Sequence, residues 1–399
     1  MQTLEGTRVG PRPSSEPAYK PITQSDVFDL LAKARIAIGG GNPWDITVHN
    51  PAAMQRIVNE GMLGLGDSYV EGMWDCAALD QFFARIIPAG LLQLLDRTPP
   101  AQAKRQQDEL TNPQDPERAV QNVAAHYDEM NELILKCVGP LRAYTCAVFK
   151  DPLNPVEGLE AAERHKLRLL CRKLDLRKGD RLLDIGCGWG SLLAVADEDF
   201  GVWGHGITAS QKQAKFVRDT YQLPVQCADY RSLEGTFDKI VSVGMFEHVG
   251  KKNMRTYMEV VNEHLAPGGI FVLHFFHRPH KKNFPDFDTW TDKHIFPGMY
   301  LTTPAETLAA SEDLFELAHL EEIGRNYTPT LMGWYKNLEN HAKKNGMDEK
   351  LFRTWKYYFL SCAGAFQCRA VQLSQLVFTK CGDGLSYTWN GERARIQVG

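Results

Sequence analysis

From residue 159 onward the apolar positions alternate between two spacings. Residues 159–174 carry them along one face of a helix, and 181–185 is a short apolar run that reads as a strand. The pattern continues with helix 191–196, strand 202–207, helix 211–220, strands 224–227 and 239–243, helix 254–265 and strand 270–274. Pro267-Gly268-Gly269 separates that last helix from its strand. Strands alternating with helices predict an α/β domain over 119–399, built on a doubly wound, Rossmann-like parallel sheet. Ligands of such sheets bind beyond the carboxyl ends of the strands. Here those ends carry Gly186, Gly206 to Ser210, Ala228 to Tyr230, Gly244 to Glu247 and His274 to Phe276. The rest of the chain reads as mainly helical, after a longer irregular insertion at 277–303.

Before residue 119 the texture differs. Residues 1–24 are rich in Pro, Gly, Ser and polar side chains and predict a disordered tail. Residues 25–97 predict a smaller, mainly helical N-terminal domain. In it Ser25 caps a helix at 26–37, stopped by Gly39-Gly40-Gly41-Asn42-Pro43. A short strand at 46–48 and a helix at 51–60 come next, with an amphipathic helix at 79–95. The glycines within 61–74 read as turn punctuation, because no strand leads into them. Thr-Pro-Pro and the polar, Pro-interrupted residues after it make 98–118 a linker.

Composition narrows the class. The 399 residues are 43% hydrophobic and 24% charged, with a formal net charge of −4 that argues against a dedicated nucleic-acid binder. No apolar run reaches the ~18 residues of a membrane span. Met1 to Lys20 lacks the apolar centre of a secretory signal, so a cytoplasmic location is expected. The nine cysteines include no C-x-x-C pair, so neither a disulfide framework nor a metal site is expected. Cys187, Cys227, Cys362 and Cys368 read as core fillers.

The run Leu182-Leu-Asp-Ile-Gly-Cys-Gly-Trp-Gly190 carries the first chemical signal. Glycines at 186, 188 and 190 let the backbone approach a cofactor. The spacing is G-x-G-x-G rather than the G-x-G-x-x-G of dinucleotide enzymes, and Asp184 stands two residues before it. This form resembles the first motif of class I S-adenosylmethionine (SAM) methyltransferases. Asp184 would attract the ammonium of SAM, and Gly186, Gly188 and Gly190 its carboxylate. After the second strand, within Gly206 to Gln213, no acid stands ready for the ribose, but Thr208, Ser210 and Gln213 offer polar groups. Asp229 and Tyr230 come after the third strand, an acceptor for an adenine amino group beside an aromatic surface.

Six stretches then occur in order: Tyr144-Thr-Cys-Ala-Val-Phe149, Asp184 to Gly190, Gly206 to Gln213, Val241-Ser-Val-Gly-Met-Phe-Glu-His-Val-Gly250, Ile295-Phe-Pro-Gly298 and Cys362-Ala-Gly-Ala-Phe366. Together they resemble the cyclopropane fatty acid synthases and the related mycolic acid cyclopropane synthases, over roughly residues 25–380. The resemblance implies a SAM-dependent transfer to a cis double bond. Methyl transfer leaves a carbocation, and ring closure needs a base other than water in a dry, apolar tunnel. It implies bicarbonate as that base, cradled by Cys146, Glu247, His274, the backbone at Phe276, and Tyr327. Tyr144 and Thr145 fall on the cofactor side. His248 and Tyr335 are weaker candidates. One departure stands out: His274-Phe-Phe replaces the family's His-Thr-Ile, a bulkier pair that narrows the acyl pocket.

Three functions remain in view. The first is cyclopropane formation on unsaturated acyl chains of membrane phospholipids. The second keeps the transferase but yields methyl-branched or hydroxylated chains, and the third is a lipid-binding protein on a degenerate methyltransferase fold. With no span, the protein is expected to dock transiently on the inner face of the membrane, and a homodimer is left open. Tyr69, Trp74, Phe82 and Phe83 read either as docking aromatics or as a small core. The basic run His277, Arg278, His280, Lys281 and Lys282 reads either as a solvated loop or as a site for anionic headgroups. On the docking reading, a chain starting near residue 118 keeps SAM binding but loses activity on vesicles.

Overall fold

The computed structural model describes residues 20–119, 121–122, 131–280, 288–392 and 394–398. The tail through residue 19, and Lys281 and Lys282 of the basic run, lie outside the described residues. The described strands are β1 (Ile46–Val48), β2 (Trp74–Cys76), β3 (Arg181–Ile185), β4 (Trp203–Thr208), β5 (Val225–Cys227), β6 (Phe237–Val243), β7 (Leu265–His277), β8 (Phe315–Glu322), β9 (Gln372–Lys380), β10 (Leu385–Trp389) and β11 (Ala394–Val398).

Seven of these strands form one sheet in the order β5-β4-β3-β6-β7-β9-β8. β5 through β7 are parallel, as the alternation of strand and helix requires. Successive residues feed opposite faces: Leu183, Ile240 and Phe271 enter one core, Leu182, Val241 and Val272 the other. After 303 the helices Pro304–Ser311, Tyr327–Asn345 and Glu349–Gln367 hold the largest share of residues, as expected, but strands that the reading lacked lie among them. β8 and β9 add two antiparallel strands, with β9 between β7 and β8. β9 is buried almost throughout, so its apolar residues run without alternation and resemble a buried helix in sequence.

The N-terminal segment departs from its reading in several places. The first helix is Gln24–Lys33, capped by Thr23 rather than Ser25. Thr23 Oγ1 accepts from the Asp26 amide at 3.3 Å, and Asp26 Oδ2 accepts from the Thr23 amide at 2.8 Å. The glycines of 61–74 are not turn punctuation, since Met62–Val70 is a helix. A Cβ at Gly64 would lie 2.3 Å from the Arg56 carbonyl oxygen, and one at Gly66 would lie 2.2 Å from the Trp290 ring. Those glycines permit close packing. The amphipathic stretch 79–95 breaks at Gly90, whose φ of 119° ends helix Leu79–Ala89 before Leu91–Leu95 begins.

Residues 98–118 hold a helix, Pro99–Leu110, where composition predicts a linker. Proline at its first positions suits a helix start, because that turn has no internal partner for the missing N–H. The chain beyond this helix is anchored to residues 253 and 297, beyond the middle of the chain. Asn112 donates to Asn253 at 2.8 Å, and Gln114 donates to the Pro297 carbonyl at 3.0 Å.

Tyr69, Trp74, Phe82 and Phe83 are core residues and present no docking face. Phe83 and Tyr69 each pack on Tyr357 with ring centroids 5.5 Å apart. Tyr357 belongs to helix Glu349–Gln367, so one hydrophobic core joins the N-terminal segment to that helix. The basic run is likewise no open patch at its start, although His280 is exposed. His277 and Arg278 are buried, with His277 Nε2 2.8 Å from Ser374 Oγ and Arg278 donating to the Tyr300 hydroxyl at 3.1 Å. Among the described residues no helix is long and apolar enough to cross a membrane.

Candidate active site

A cleft of about 1240 Å³, counting its open mouth, lies beyond the carboxyl ends of β3 to β6. Asp184, Gly186 and Gly188 line it from the end of β3, Thr208 and Gln213 from β4 onward, and Asp229 and Tyr230 from the turn after β5. Tyr144 and Thr145 close one side. The structure thus brings together nine of the eleven residues expected to hold a cofactor. Gly190 and Ser210 stand behind the wall. A Cβ at Gly190 would meet Val217 at 2.8 Å, and Ser210 caps helix Gln211–Tyr221 by accepting from the Gln213 amide at 3.2 Å.

The three glycines differ in function. A Cβ at Gly186 would strike Met245 at 2.7 Å, whereas one at Gly188 meets nothing within 4 Å and points into open space. Gly188 also has φ of 53°, in the left-handed region. Asp184 is buried, and its Oδ1 has no partner. Burial, opposed by Lys166, raises its carboxyl to about 7. An orphaned carboxylate oxygen in a cleft is satisfied by an ammonium group, so the donor set fits the amino-acid end of SAM. Thr208 Oγ1 donates to Gln213 Oε1 at 2.7 Å and fixes that amide. Asp229 is paired with Arg231 at 3.0 and 3.1 Å, so its carboxylate already has a cationic partner.

A second group gathers at the ends of β6 and β7. Glu247 lies in the turn Phe246–His248 after β6, fully buried, and its Oε1 accepts from the Phe276 amide at 2.6 Å. That amide is therefore directed at Glu247. Glu247 Oε2 has no partner, and burial raises the carboxyl to about 8, so it is neutral at pH 7 and can donate. Cys146 is buried beside Thr330, its Sγ 3.9 Å from that hydroxyl, and burial drives its thiol pKa up. Tyr327 stacks on Phe366 at 4.4 Å and meets Phe276 edge-on at 6.2 Å; burial holds it protonated. His274 is buried on β7 and kept neutral by burial and by the nearby Lys166 and Lys173. Glu247, His274 and Tyr327 are thus three buried, neutral groups, each with a proton to donate.

An apolar cavity opens on the other side of this group. Phe276, Phe296, Tyr327, Tyr358 and Phe366 line it, together with Met62, Phe83, Ile87 and Leu92 of the N-terminal segment. It meets the cofactor cleft across aromatic contacts. Tyr144 and His248 line the cleft, Phe296 lines the cavity, and the ring centroids are 6.4 and 5.1 Å apart. Burial lowers His248 to about 4, so it stays neutral there. Tyr335 is elsewhere, its hydroxyl donating to Glu339 at 2.9 Å.

Residues 114–376 match the mycolic acid cyclopropane synthetase family. This chain belongs to that family. It is 39% identical over 357 residues to the cyclopropane-fatty-acyl-phospholipid synthase of Escherichia coli K12, covering 88% of this chain and 92% of that protein. The solved structure of the cyclopropane synthase MmaA2 from Mycobacterium tuberculosis is similar with a TM-score of 0.61 at 26% identity, over 65% of this chain and 97% of that one. The mycolic acid cyclopropane synthase CmaA1 complexed with SAH and CTAB gives 0.60 at 26% identity, with the same coverage. The seven-stranded sheet of this cyclopropane synthetase family member is thus a class I SAM methyltransferase fold.

Sequence reading missed a buried charge row. Glu163, Lys166 and Lys173 lie on one face of helix Leu159–Lys173 and are all buried. Lys166 lines the cofactor cleft and donates to Thr145 Oγ1 at 2.7 Å. Burial brings Lys166 down to about 8 and Glu163 up to about 8, each opposing the other's shift. The i, i+3, i+10 spacing was the available signal. Charged residues on a helix ordinarily mark its solvated face, and that habit hid it.

Gly188→Leu should abolish measurable SAM binding in calorimetry while the protein still melts cooperatively, because the added side chain enters cofactor space at a strained φ. Unchanged affinity would sink the assignment. The ammonium requires ionised Asp184, whose carboxyl sits near 7 in the free protein. SAM affinity should therefore rise with pH by up to ~tenfold per unit below that value and level off above it. Asp184→Asn should flatten the profile; a wild-type profile already flat from pH 5.5 to 8 contradicts the role.

Proposed function

We propose that this protein uses SAM to convert cis double bonds in acyl chains of membrane phospholipids into cyclopropane rings. The observation that carries this reading is the junction of two cavities, a polar cleft fitted to SAM and an apolar one fitted to an acyl chain, where Phe296 of the second meets Tyr144 and His248 of the first. SAM, when bound, supplies an electrophilic methyl group. The residues of the chain do the rest: they orient the two reactants, keep water out and fix the protons.

Apolar side chains around Phe276 and Tyr327 exclude water, which disfavours capture of the cation as an alcohol. Tyr327 and Phe366, stacked on each other, both line the cavity in which the cation would form and bring aromatic electron density to it. Glu247, His274, Tyr327 and Cys146 would hold bicarbonate, which supplies a base where water is excluded. The protonated Glu247 Oε2 would donate to it, and Lys166 offsets its charge nearby. Residues 25–97 act in this reading as a lipid-binding unit of the domain at 119–399, through the wall that Met62, Phe83, Ile87 and Leu92 give the acyl cavity. The protein docks transiently on the inner membrane face to take in each chain.

Lipid mass spectrometry after incubation with SAM and vesicles of monounsaturated phospholipid tests this. Products should gain one CH2 and resist mild hydrogenation that saturates an alkene. A product that gains CH2 but takes up hydrogen is a methyl-branched alkene, and one that gains CH2 plus H2O and takes up none is an alcohol. Either would replace the ring-forming reading.

A further inference from the structure

His274, Gln375 and Glu321 form a row across three strands. His274 of β7 is in register with Gln375 of the antiparallel β9, and Gln375 is in register with Glu321 of β8. Lys173, the last residue of helix Leu159–Lys173, lies over this row and is fully buried. Its ammonium donates to Gln375 Oε1 at 2.7 Å and forms a short ion pair with Glu321. Gln375 Nε2 lies 3.1 Å from His274 Nδ1.

The donor chemistry orients every member. An ammonium has donors and no acceptor, so the oxygen of the Gln375 amide must face Lys173. The amide nitrogen, a donor only, then faces His274 Nδ1. A ring nitrogen that accepts carries no proton, which leaves the single imidazole proton on Nε2. Two nearby ammonium groups, Lys166 and Lys173, disfavour a second proton on the ring.

We propose that Lys173 and Gln375 are positioning residues that lock His274 as the neutral Nε2–H tautomer, making it a fixed hydrogen-bond donor to the anion of the active site. This rests on the role given to His274 above and deepens it. His274 donates one proton in a hydrogen bond and does not exchange it, so the base is left unprotonated until the substrate cation forms. The device belongs to the antiparallel strands. Without β9 between β7 and β8, no amide would separate the lysine from the histidine.

Histidine-selective 15N labelling of the full chain tests the lock directly, with His274→Ala used to assign the resonance. Long-range 1H–15N correlation of the wild type should show Nε2 protonated and Nδ1 bare. A proton on Nδ1 overturns the proposal, and this measurement needs no folded variant of Gln375. Gln375→Glu should place a proton on Nδ1, because a carboxylate there can only accept. Gln375→Met should lower turnover about tenfold or more with SAM affinity unchanged, the scale of losing a group that orients a site residue. Lys173→Met should act in the same direction, since the freed amide can turn over. Full turnover of a folded Gln375→Met protein also overturns the proposal. Full turnover of His274→Ala would instead remove the anion role on which it rests, while the tautomer result stood.

Discussion

Glu247→Ala should lower turnover by ~10²–10³-fold with SAM affinity within about twofold of wild type, the scale of losing a positioned acid–base group. Glu247 is buried, neutral and joined to β7 through the Phe276 amide, and its second oxygen has no partner. Glu247 itself does not line the cofactor cleft, although Met245 and His248 beside it do. Glu247→Gln should lose less, because its carbonyl can still accept from Phe276 and its NH2 can replace the acid proton as donor. His274→Ala should resemble Glu247→Ala. Added bicarbonate should restore part of the activity of either variant by mass action. Loss of SAM affinity in proportion to turnover would place Glu247 in the cofactor site instead.

A chain beginning at residue 119 should fail to fold cooperatively and should not bind SAM. The helix Glu349–Gln367 packs its Tyr357 against Tyr69 and Phe83, and Trp290 lies against Gly66. Gly364 sits so close to helix Leu79–Ala89 that a Cβ there would be 2.5 Å from the Asp80 carbonyl oxygen. Removing residues 20–118 uncovers Trp290 and Tyr357 together, each now about 1% exposed. At ~1.5–3 kcal/mol for each large apolar side chain, the loss is comparable with a total stability of ~5–15 kcal/mol. Thermal melting and calorimetry of the fragment decide it. A sharp transition with full-length SAM affinity would show that the catalytic sheet stands alone and that the N-terminal segment serves only the lipid.

What the sequence determined is local in origin. Short apolar runs and period-3.6 spacing located β3 to β7 and their helices, because the central strands are buried on both faces while each helix buries one stripe at the period of its backbone. The glycine turn and Asp184 were legible because cofactor approach restricts residue type at fixed short spacing. Glu247 and His274 were placed at strand ends by the same alternation, and their resemblance to known synthases gave them a role. Tertiary structure decided the rest. β9 is buried on both faces, so its sequence has no period, and only packing between β7 and β8 makes it a strand. The glycines at 64 and 66 are explained by Arg56 and Trp290, partners at unrelated positions. Tyr69, Trp74, Phe82 and Phe83 could be core or surface until helix Glu349–Gln367 covered them. Lys166, Lys173 and Gln375 are ordinary polar residues in sequence, and their function arises from burial and from neighbours up to 202 positions away. A charge changes meaning when water is removed from it, and the linear chain does not specify where water is removed.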